Sequence, residues 1–230
     1  MKKLLALIAL SLSTLSLSAT AQQGDHNHAL MMAIDNPQRS EANKARDVYR
    51  HPYETLSFFG VQPTHTVVEM FPGAGWYTEI LTPYLSNGGT LIPARSAEIP
   101  APAGTVDVIL DFRNAHNWLG GNPEGMVKAW HAALKTGGVV GLVDHRHNPD
   151  VPFVAGRGYI LEQQVIDLMQ ANGFRLEARS EINANPLDTK DHPGGVWNLP
   201  PTLQNVTDAD RAKFLAIGES DRMTLKFVKL

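Results

Sequence analysis

Two clusters of polar and titratable side chains follow predicted strands of this sequence. They are Asp111, Asn114 and His116 after one strand, and Asp144, His145 and Arg146 after the next. Because adjacent parallel strands lie about 4.8 Å apart, we expect both clusters to face one cleft. Either histidine could act as a base near neutral pH, and an arginine (Arg113 or Arg146) could hold an acidic substrate through two hydrogen bonds. The same side chains could instead form a hydrogen-bonded network that stabilises the loops.

A metal site is a second interpretation of the histidines. His145, His147 and His192 could bind a cation together with Asp144, since the spacing of the first two would point both rings the same way on an extended segment. The sequence fixes no third ligand beside that pair. We therefore predict that the site contains no metal.

A glycine-rich turn between a strand and a helix is the other chemical feature. The stretch 66–81 reads as an apolar strand, then Pro72-Gly73-Ala74-Gly75, then a helix from Trp76. Glycine permits the unusual backbone angles of such a reversal and lets a ligand approach the backbone. Glu69 lies near the carboxyl end of the strand, where ligands of open α/β sheets bind. The dinucleotide-binding and P-loop glycine patterns are both absent, so the turn alone does not specify a ligand.

The elements that position these residues alternate between strands and helices. Strands are predicted at 66–71, 90–92, 106–110, 139–143, 174–182 and 223–228, with helices at 76–85, 122–134, 162–171 and 208–217. This alternation predicts an α/β fold with a doubly wound, mostly parallel sheet. Two further helices, at 40–49 and 52–59, precede the first strand and are expected to cover a sheet edge or the ligand mouth. The polar loop 183–199 is expected to close over the cleft, with Asn183, Asn185, Asp191 and His192 pointing inward.

Several long stretches together resemble one group of exported, predicted class I S-adenosylmethionine-dependent methyltransferases. They are 72–85 (PGAGWYTEILTPYL), 112–118 (FRNAHNW), 144–146 with 158–159, 180–203 and 214–227. The resemblance covers most of the chain after residue 21. It implies a Rossmann-like sheet with an antiparallel last strand. It also implies S-adenosylmethionine as cofactor, bound at its amino-acid end by Glu69, Pro72, Gly73, Gly75 and Trp76.

The sequence departs from this family in the segment 86–105. A complete methyltransferase fold places two strands and two helices before the strand that starts at Val106, but only 20 residues separate it from Leu85. The acid that would bind the ribose hydroxyls has no clear counterpart, and Glu98 is the nearest candidate. One edge of the sheet is therefore predicted to be truncated, and the shortened segment argues against full binding of the cofactor.

The composition and the first 21 residues limit the possible locations, partners and chemistry of the protein. Lys2 and Lys3, the apolar run from Leu4 to Leu17 and Ala19-Thr20-Ala21 are typical of a secretory signal peptide, so we predict a periplasmic or secreted protein without a stable membrane anchor. Without the two lysines, 18 basic residues remain against 23 acidic ones, a net charge of −5 that disfavours nucleic acid as a partner. Cysteine is absent, which excludes disulfides and thiolate chemistry.

These observations predict three segments and leave more than one function open. The segments are a signal peptide (1–21), a helical cover (22–65) and a methyltransferase-like α/β domain (66–230). The favoured function is methyl transfer to an unknown small molecule. The alternatives are an exported, non-catalytic ligand-binding module of the same fold and a metal-dependent hydrolase that uses His145 and His147. A truncated sheet edge would expose apolar surface that a homodimer could cover.

Overall fold

The computed structural model describes residues 28–230, so the predicted signal peptide lies outside the described residues. Residues 28–34 are helical (α1). The other helices are α2 (Glu41–Lys44), α3 (Asp47–Arg50), α4 (Pro52–Phe59), α5 (Thr78–Tyr84), α6 (Ala115–Trp118), α7 (Pro123–Ala133), α8 (Glu162–Ala171) and α9 (Asp208–Ile217), with a 3-10 helix at Gly195–Asn198. The strands are β1 (Thr66–Met70), β2 (Thr90–Ala94), β3 (Val106–Phe112), β4 (Leu134–His145), β5 (Phe174–Ser180) and β6 (Arg222–Lys229). None of the helices within 28–230 is long and apolar enough to cross a membrane.

The six strands form one mixed sheet in the order β2-β1-β3-β4-β6-β5. Strands β2, β1, β3 and β4 are parallel, and β6 is antiparallel to both of its neighbours. The predicted α/β class, the mostly parallel sheet and the antiparallel last strand are therefore confirmed. The chain leaves β1 toward β2 on one side and enters β3 on the other, so the sheet order reverses at the carboxyl ends of β1 and β3. Such switch points are where open α/β sheets bind ligands.

Helices cover the sheet on both faces because successive residues of its buried strands point to opposite sides. Val67 and Val108 pack with the helices on one face, where α1, α4 and α5 supply Leu30, Leu56 and Ile80. Val68 and Ile109 point to the other face. Their partners there are on α7 and α8 and include Val127, Trp130, Val165 and Met169. The apolar runs of β1 and β3 are thus explained by burial on both faces.

The structure corrects several predicted boundaries. The segment 40–49 forms the two short helices α2 and α3 rather than one helix. Strand β3 continues to Phe112, so Asp111 lies inside the strand and not after it. Strand β4 begins at Leu134, directly after α7, so it starts five residues before the predicted strand 139–143. For β3 and β4, backbone pairing with a neighbouring strand extends the strand beyond its predicted apolar residues, and the sequence pattern does not reveal that pairing.

Strand β2 lies at one edge of the sheet and pairs only with β1. The connection from Ala94 to Val106 contains no helix and no further strand. Ala97, Ile99 and Ala101 from this connection pack against the core. The connection therefore covers part of one face in the place where a helix would otherwise lie.

Gly141 on β4 allows α4 to pack closely on the sheet. A Cβ atom at this position would lie 2.6 Å from the ring of Phe59, which is completely buried. We expect Gly141→Ala to lower the free energy of unfolding by about 1–3 kcal/mol, since the ring has no space into which to move. Urea denaturation would measure this change. Gly120→Ala is the matched control, because no atom lies within 4 Å of a Cβ there, and an equal effect of both substitutions would contradict the explanation.

Candidate active site

The turn after β1 adopts the backbone conformation that its glycines predict. Gly73 and Gly75 have φ values of 57° and 82°, and the Gly75 amide donates to the Pro72 carbonyl at 2.8 Å. Phe71 also has a positive φ, 46°, although it is not glycine. A strained non-glycine residue persists only where the surrounding structure holds it, and such residues cluster at functional sites.

This turn forms part of the wall of a cavity of about 160 Å³. Four of the five residues predicted to bind the cofactor line it, namely Glu69, Pro72, Gly73 and Trp76. Gly75 does not line the cavity, and a Cβ there would contact Thr78 at 3.5 Å. A Cβ added at Gly73 would have its nearest neighbouring atom 4.0 Å away, so the backbone at Gly73 is open to a ligand.

Glu69 contributes the carboxylate of this cavity. It is buried, and one carboxylate oxygen accepts a hydrogen bond of 2.6 Å from the Thr78 hydroxyl. Burial raises the pKa of Glu69 to about 7, with the Thr78 hydrogen bond and the charge of Arg95 opposing the shift. Glu69 can therefore gain or lose a proton near neutral pH, and its charge would be favoured by a cationic ligand group.

Aromatic rings form another wall of the cavity. Trp76, Tyr77 and Phe112 all line it. The rings of Tyr77 and Phe112 stack with centroids 3.5 Å apart, and the Trp76 ring contacts Tyr77 edge-on. The Trp76 indole also donates to the Asn43 carbonyl at 2.9 Å, which ties the segment before α3 to the turn. The cavity thus combines an apolar wall with polar groups at its ends, as small-molecule sites commonly do.

Arginines line the side of the cavity that the N-terminal helices provide. Arg46, directly before α3, and Arg50, on α3, line it together with Arg113, which directly follows β3. Glu219 accepts hydrogen bonds from Arg46 at 2.8 Å and from Arg50 at 3.2 Å, and Arg222 donates to it at 3.1 Å. Burial, with a further contribution from the nearby charge of Arg113, lowers the pKa of Arg50 to about 9. Sequence reasoning missed Arg46, Arg50 and Glu219, since charged residues usually face solvent and the sequence does not show that these three meet.

Of the predicted catalytic residues, Asn114 is the one that lines the cavity. Its side-chain amide donates to the carbonyls of Phe112 at 3.0 Å and Met70 at 3.4 Å, bridging the ends of β3 and β1. Asp111 is completely buried and does not line the cavity. Its carboxylate accepts a hydrogen bond of 2.9 Å from the Trp118 indole. Its other oxygen has no hydrogen-bond partner. Burial raises the pKa of Asp111 to about 7.

His116, Asp144 and His145 meet next to the cavity, as the adjacency of β3 and β4 predicted. The Asp144 carboxylate contacts the His116 Nδ1 atom at 2.9 Å and accepts the His116 and His145 amides. The ring of His145 contacts the Ser220 hydroxyl at 2.5 Å, and its burial lowers the pKa of His145 well below the usual value. A carboxylate that fixes one ring nitrogen of a histidine leaves the other nitrogen oriented for proton transfer. None of these three residues lines the cavity itself.

Arg146 lies away from the cavity in a network of ion pairs. It donates to both oxygens of Glu181, at 2.8 and 2.7 Å, and to both oxygens of Asp221, each at 3.1 Å. These contacts hold the segments 181–185 and 219–222 against the end of β4. In the structure Arg146 therefore acts on the loops rather than on a cavity ligand.

The histidines combine differently from the predicted metal site. His147 contacts the Val151 carbonyl at 2.9 Å, and His192 contacts Asp188 at 2.9 Å, so neither joins His145. Within residues 28–230, ligand atoms of His116, Asp144 and His145 all lie within 4.8 Å of one another. This trio contains the residue types of a divalent cation site. The hydrolase interpretation with His145 and His147 loses its geometric basis.

The loop 183–199 lies over the ends of β4 and β6, but its predicted inward residues have other partners. Asn183 donates to Thr55 and Thr224, both at 3.0 Å, and Asn185 donates to the Ile217 and Glu219 carbonyls. Asp191 is exposed. Trp197 of this loop lies beside the histidine pair, with its ring centroid 5.5 Å from that of His116 and 6.4 Å from that of His145.

Comparison with solved structures identifies the architecture. A methyltransferase dependent on S-adenosylmethionine from Aquifex aeolicus superimposes with a TM-score of 0.57 at 14% identity, covering 89% of this chain and 98% of that one. The fold is that of the class I methyltransferases. A geranyl diphosphate C-methyltransferase from Streptomyces coelicolor A3(2) gives a TM-score of 0.54 at 14% identity over 86% and 87% of the two chains. The [4+2]-cyclase SpnF gives 0.55 at 12% identity over 91% and 94%.

No protein-family model matches the chain, and no curated protein matches it in sequence. At such low identities the structural likeness shows the methyltransferase fold and leaves the chemistry to the site itself. The residues present fit the amino-acid portion of S-adenosylmethionine. Glu69 offers a carboxylate for its ammonium group, and the open backbone at Gly73 offers space for the ligand to approach.

Proposed function

We propose that this protein is an S-adenosylmethionine-dependent methyltransferase that acts on a small molecule. The observation that carries the proposal is the position of the glycine turn. Gly73 and the buried Glu69 line a cavity at the carboxyl ends of β1 and β3, where the order of the sheet reverses. This is the point of an open α/β sheet at which ligands bind.

Different residues of the cavity would bind the cofactor and align the reacting atoms. Glu69 and the turn at Gly73 would hold the amino-acid portion of the cofactor, which when bound supplies an electrophilic methyl group on a sulfonium sulfur. The stacked rings of Tyr77 and Phe112 exclude water from one wall. Asn114 presents a polar group to the cavity from the end of β3. Methyl transfer depends on such fixed alignment of the reacting atoms.

An acceptor that carries a proton also needs a base. His116 is the best oriented candidate, because Asp144 holds its Nδ1 atom at 2.9 Å. It lies two residues after Asn114, on the helix α6 that starts at the cavity edge. An acceptor bound at the cavity would have to extend past Asn114 to reach His116, which does not itself line the cavity.

The adenosine portion of the cofactor has weaker support from this chain. Strand β2 ends at Ala94 and is followed by Arg95, so no carboxylate stands at its end. Glu98 is exposed on the following connection and does not line the cavity. A carboxylate that accepts two hydroxyl protons contributes roughly 2–3 kcal/mol, so its loss would weaken binding substantially. The truncated sheet edge, which we propose from the short segment 86–105, would explain why no carboxylate follows β2.

This weakness favours one second candidate, a ligand-binding module that keeps the fold and the cavity without catalysis. In either case we propose export of the protein to the periplasm or the exterior. The support is Lys2 and Lys3, the apolar run that follows them and Ala19-Thr20-Ala21.

Isothermal titration of the purified protein with S-adenosylmethionine and with its demethylated product tests the proposal. We expect both to bind, and we expect Glu69→Gln to weaken binding by roughly 10- to 100-fold, the value of a hydrogen bond to a charged group. Glu124→Gln is the control, since Glu124 is exposed on α7 and pairs with Lys128. No heat from the unaltered protein at millimolar ligand would refute methyl transfer and favour the binding module.

A further inference from the structure

The arginines at the cavity carry more positive charge than the structure neutralises. Four guanidinium groups share the single carboxylate of Glu219: Arg46, Arg50 and Arg222 contact it, and Arg113 lies close enough to interact with its charge. Within residues 28–230, no other carboxylate forms an ion pair with any of the four, which leaves an excess of three positive charges. Uncompensated charge away from bulk water is costly, so a cluster of this kind is stabilised by an anion.

Two of the arginines that line the cavity, Arg50 and Arg113, have unused hydrogen-bond donors that a ligand could reach. Arg50 is only 2% exposed, yet its Nη2 atom has no hydrogen-bond partner. The guanidinium of Arg113 makes no hydrogen bond and no ion pair with any residue of the described chain, although it lines the cavity. A guanidinium presents donors in a planar fork that matches the oxygens of a carboxylate or phosphate. The free donors are therefore of the type that binds an oxyanion.

The backbone at Arg113 is held in a conformation that is unfavourable for a residue other than glycine. Its φ value is 62°, in the left-handed region, and its amide donates to the Val143 carbonyl at 2.7 Å. Phe71, on the opposite strand end of the same cavity, has a positive φ as well. Two strained non-glycine residues that line one cavity indicate that the position of Arg113 serves a ligand.

We propose that Arg46, Arg50 and Arg113 bind a multiply charged oxyanion, a phosphate or diphosphate group, of a small-molecule ligand. Under the proposed function, on which this assignment of the ligand rests, that molecule is the methyl acceptor. A single carboxylate would leave two positive charges unbalanced and a phosphate monoester about one, whereas a diphosphate monoester, with about three negative charges, balances the excess. Its oxygens would accept from Arg113 and from the unpartnered donor of Arg50, and the aromatic wall would contact the organic part.

Titration with inorganic pyrophosphate at constant ionic strength, in the absence and presence of S-adenosylmethionine, tests this proposal. We expect one pyrophosphate to bind the unaltered protein in both conditions. Arg113→Gln should weaken that binding by at least about tenfold, since one of three arginines is lost. Arg175→Gln should leave it unchanged, because Arg175 is exposed on β5 and pairs with Glu177.

Thermal unfolding without any anion separates ligand binding from a structural role of Arg113. We expect Arg113→Gln to unfold at the same temperature as the unaltered protein or at a higher one, because the substitution removes repulsion and no ion pair. A lower unfolding temperature together with unchanged pyrophosphate affinity would overturn the proposal. Competition between pyrophosphate and S-adenosylmethionine would also overturn it, since the arginines would then hold the carboxylate of the cofactor. Binding of pyrophosphate without binding of S-adenosylmethionine would refute methyl transfer and leave the anion site standing.

Discussion

Replacing Glu219 with glutamine should lower the free energy of unfolding by about 3–5 kcal/mol, because the substitution leaves buried guanidinium groups without their carboxylate. Glu219 is only 3% exposed and accepts from Arg46, Arg50 and Arg222. Glutamine preserves the volume and one acceptor oxygen, so the loss reports charge rather than packing. Urea denaturation at pH 7 would measure it.

The pH dependence gives this prediction a second readout. The neighbouring arginines hold the pKa of Glu219 below its usual value, against the opposing effect of burial. A carboxyl group with a lowered pKa in the folded state stabilises the protein above its unfolded pKa, and this stability is lost as pH falls through the folded pKa. The difference in the free energy of unfolding between the unaltered protein and Glu219→Gln should therefore be largest near neutral pH and become smaller in acid.

A matched substitution and an added anion sharpen the result. Glu41→Gln removes a carboxylate from an exposed pair with Lys44 and should leave the unfolding curve almost unchanged. Pyrophosphate should restore part of the stability lost in Glu219→Gln, since it supplies negative charge to the same arginines. An equal loss in both variants would show that the cluster is not stabilised by its carboxylate.

The second large effect is a pH dependence of stability that Asp111 causes. Burial raises the pKa of Asp111 from 3.8 to about 7 in the folded protein. The folded state then binds more protons than the unfolded state between these two values, so stability falls as pH rises through this window. The shift corresponds to roughly 3 kcal/mol after allowance for relaxation of the buried site.

Comparison with Asp111→Asn isolates this effect. Between pH 4.5 and pH 8 the unaltered protein should lose roughly 3 kcal/mol relative to the variant, as measured by urea denaturation at a series of pH values. His145 acts in the opposite direction, because its lowered pKa means that stability is lost as pH falls through its unfolded value. That contribution is present in both proteins and cancels in the difference. Parallel pH profiles of the two proteins would contradict the prediction.

Local sequence patterns were sufficient for the turn and for most strands. The apolar residues of β1 followed by two glycines predicted a strand, a reversal and a ligand-facing backbone, because only glycine adopts these angles readily. The pairing of His116 with Asp144 also followed, since both come from the ends of strands expected to be adjacent. Helix α9, Asp208–Ile217, was predicted with its observed bounds, and Thr207 caps it by accepting the Asp210 amide.

Those local patterns do not show which strands and side chains pair when they are far apart in the sequence. The extension of β3 to Phe112 buries Asp111, and hydrogen bonding to β4 decides that extension. Likewise, Arg146 was predicted to face a substrate, but its partners Glu181 and Asp221 come from loops far along the chain. A side chain that follows a strand can pair with several neighbouring groups, and the sequence does not show which pairing forms.

The sequence by itself determined the alternating strands and helices and the glycine turn with Glu69. These depend on residue spacing and backbone angles that act within a few residues. Only the tertiary structure decided that Arg46 and Arg50 reach the cavity and share Glu219, which is 169 residues from Arg50. The physical reason is that an ion pair of this kind forms after helices and sheet have packed, so nothing in the local pattern of either partner encodes it.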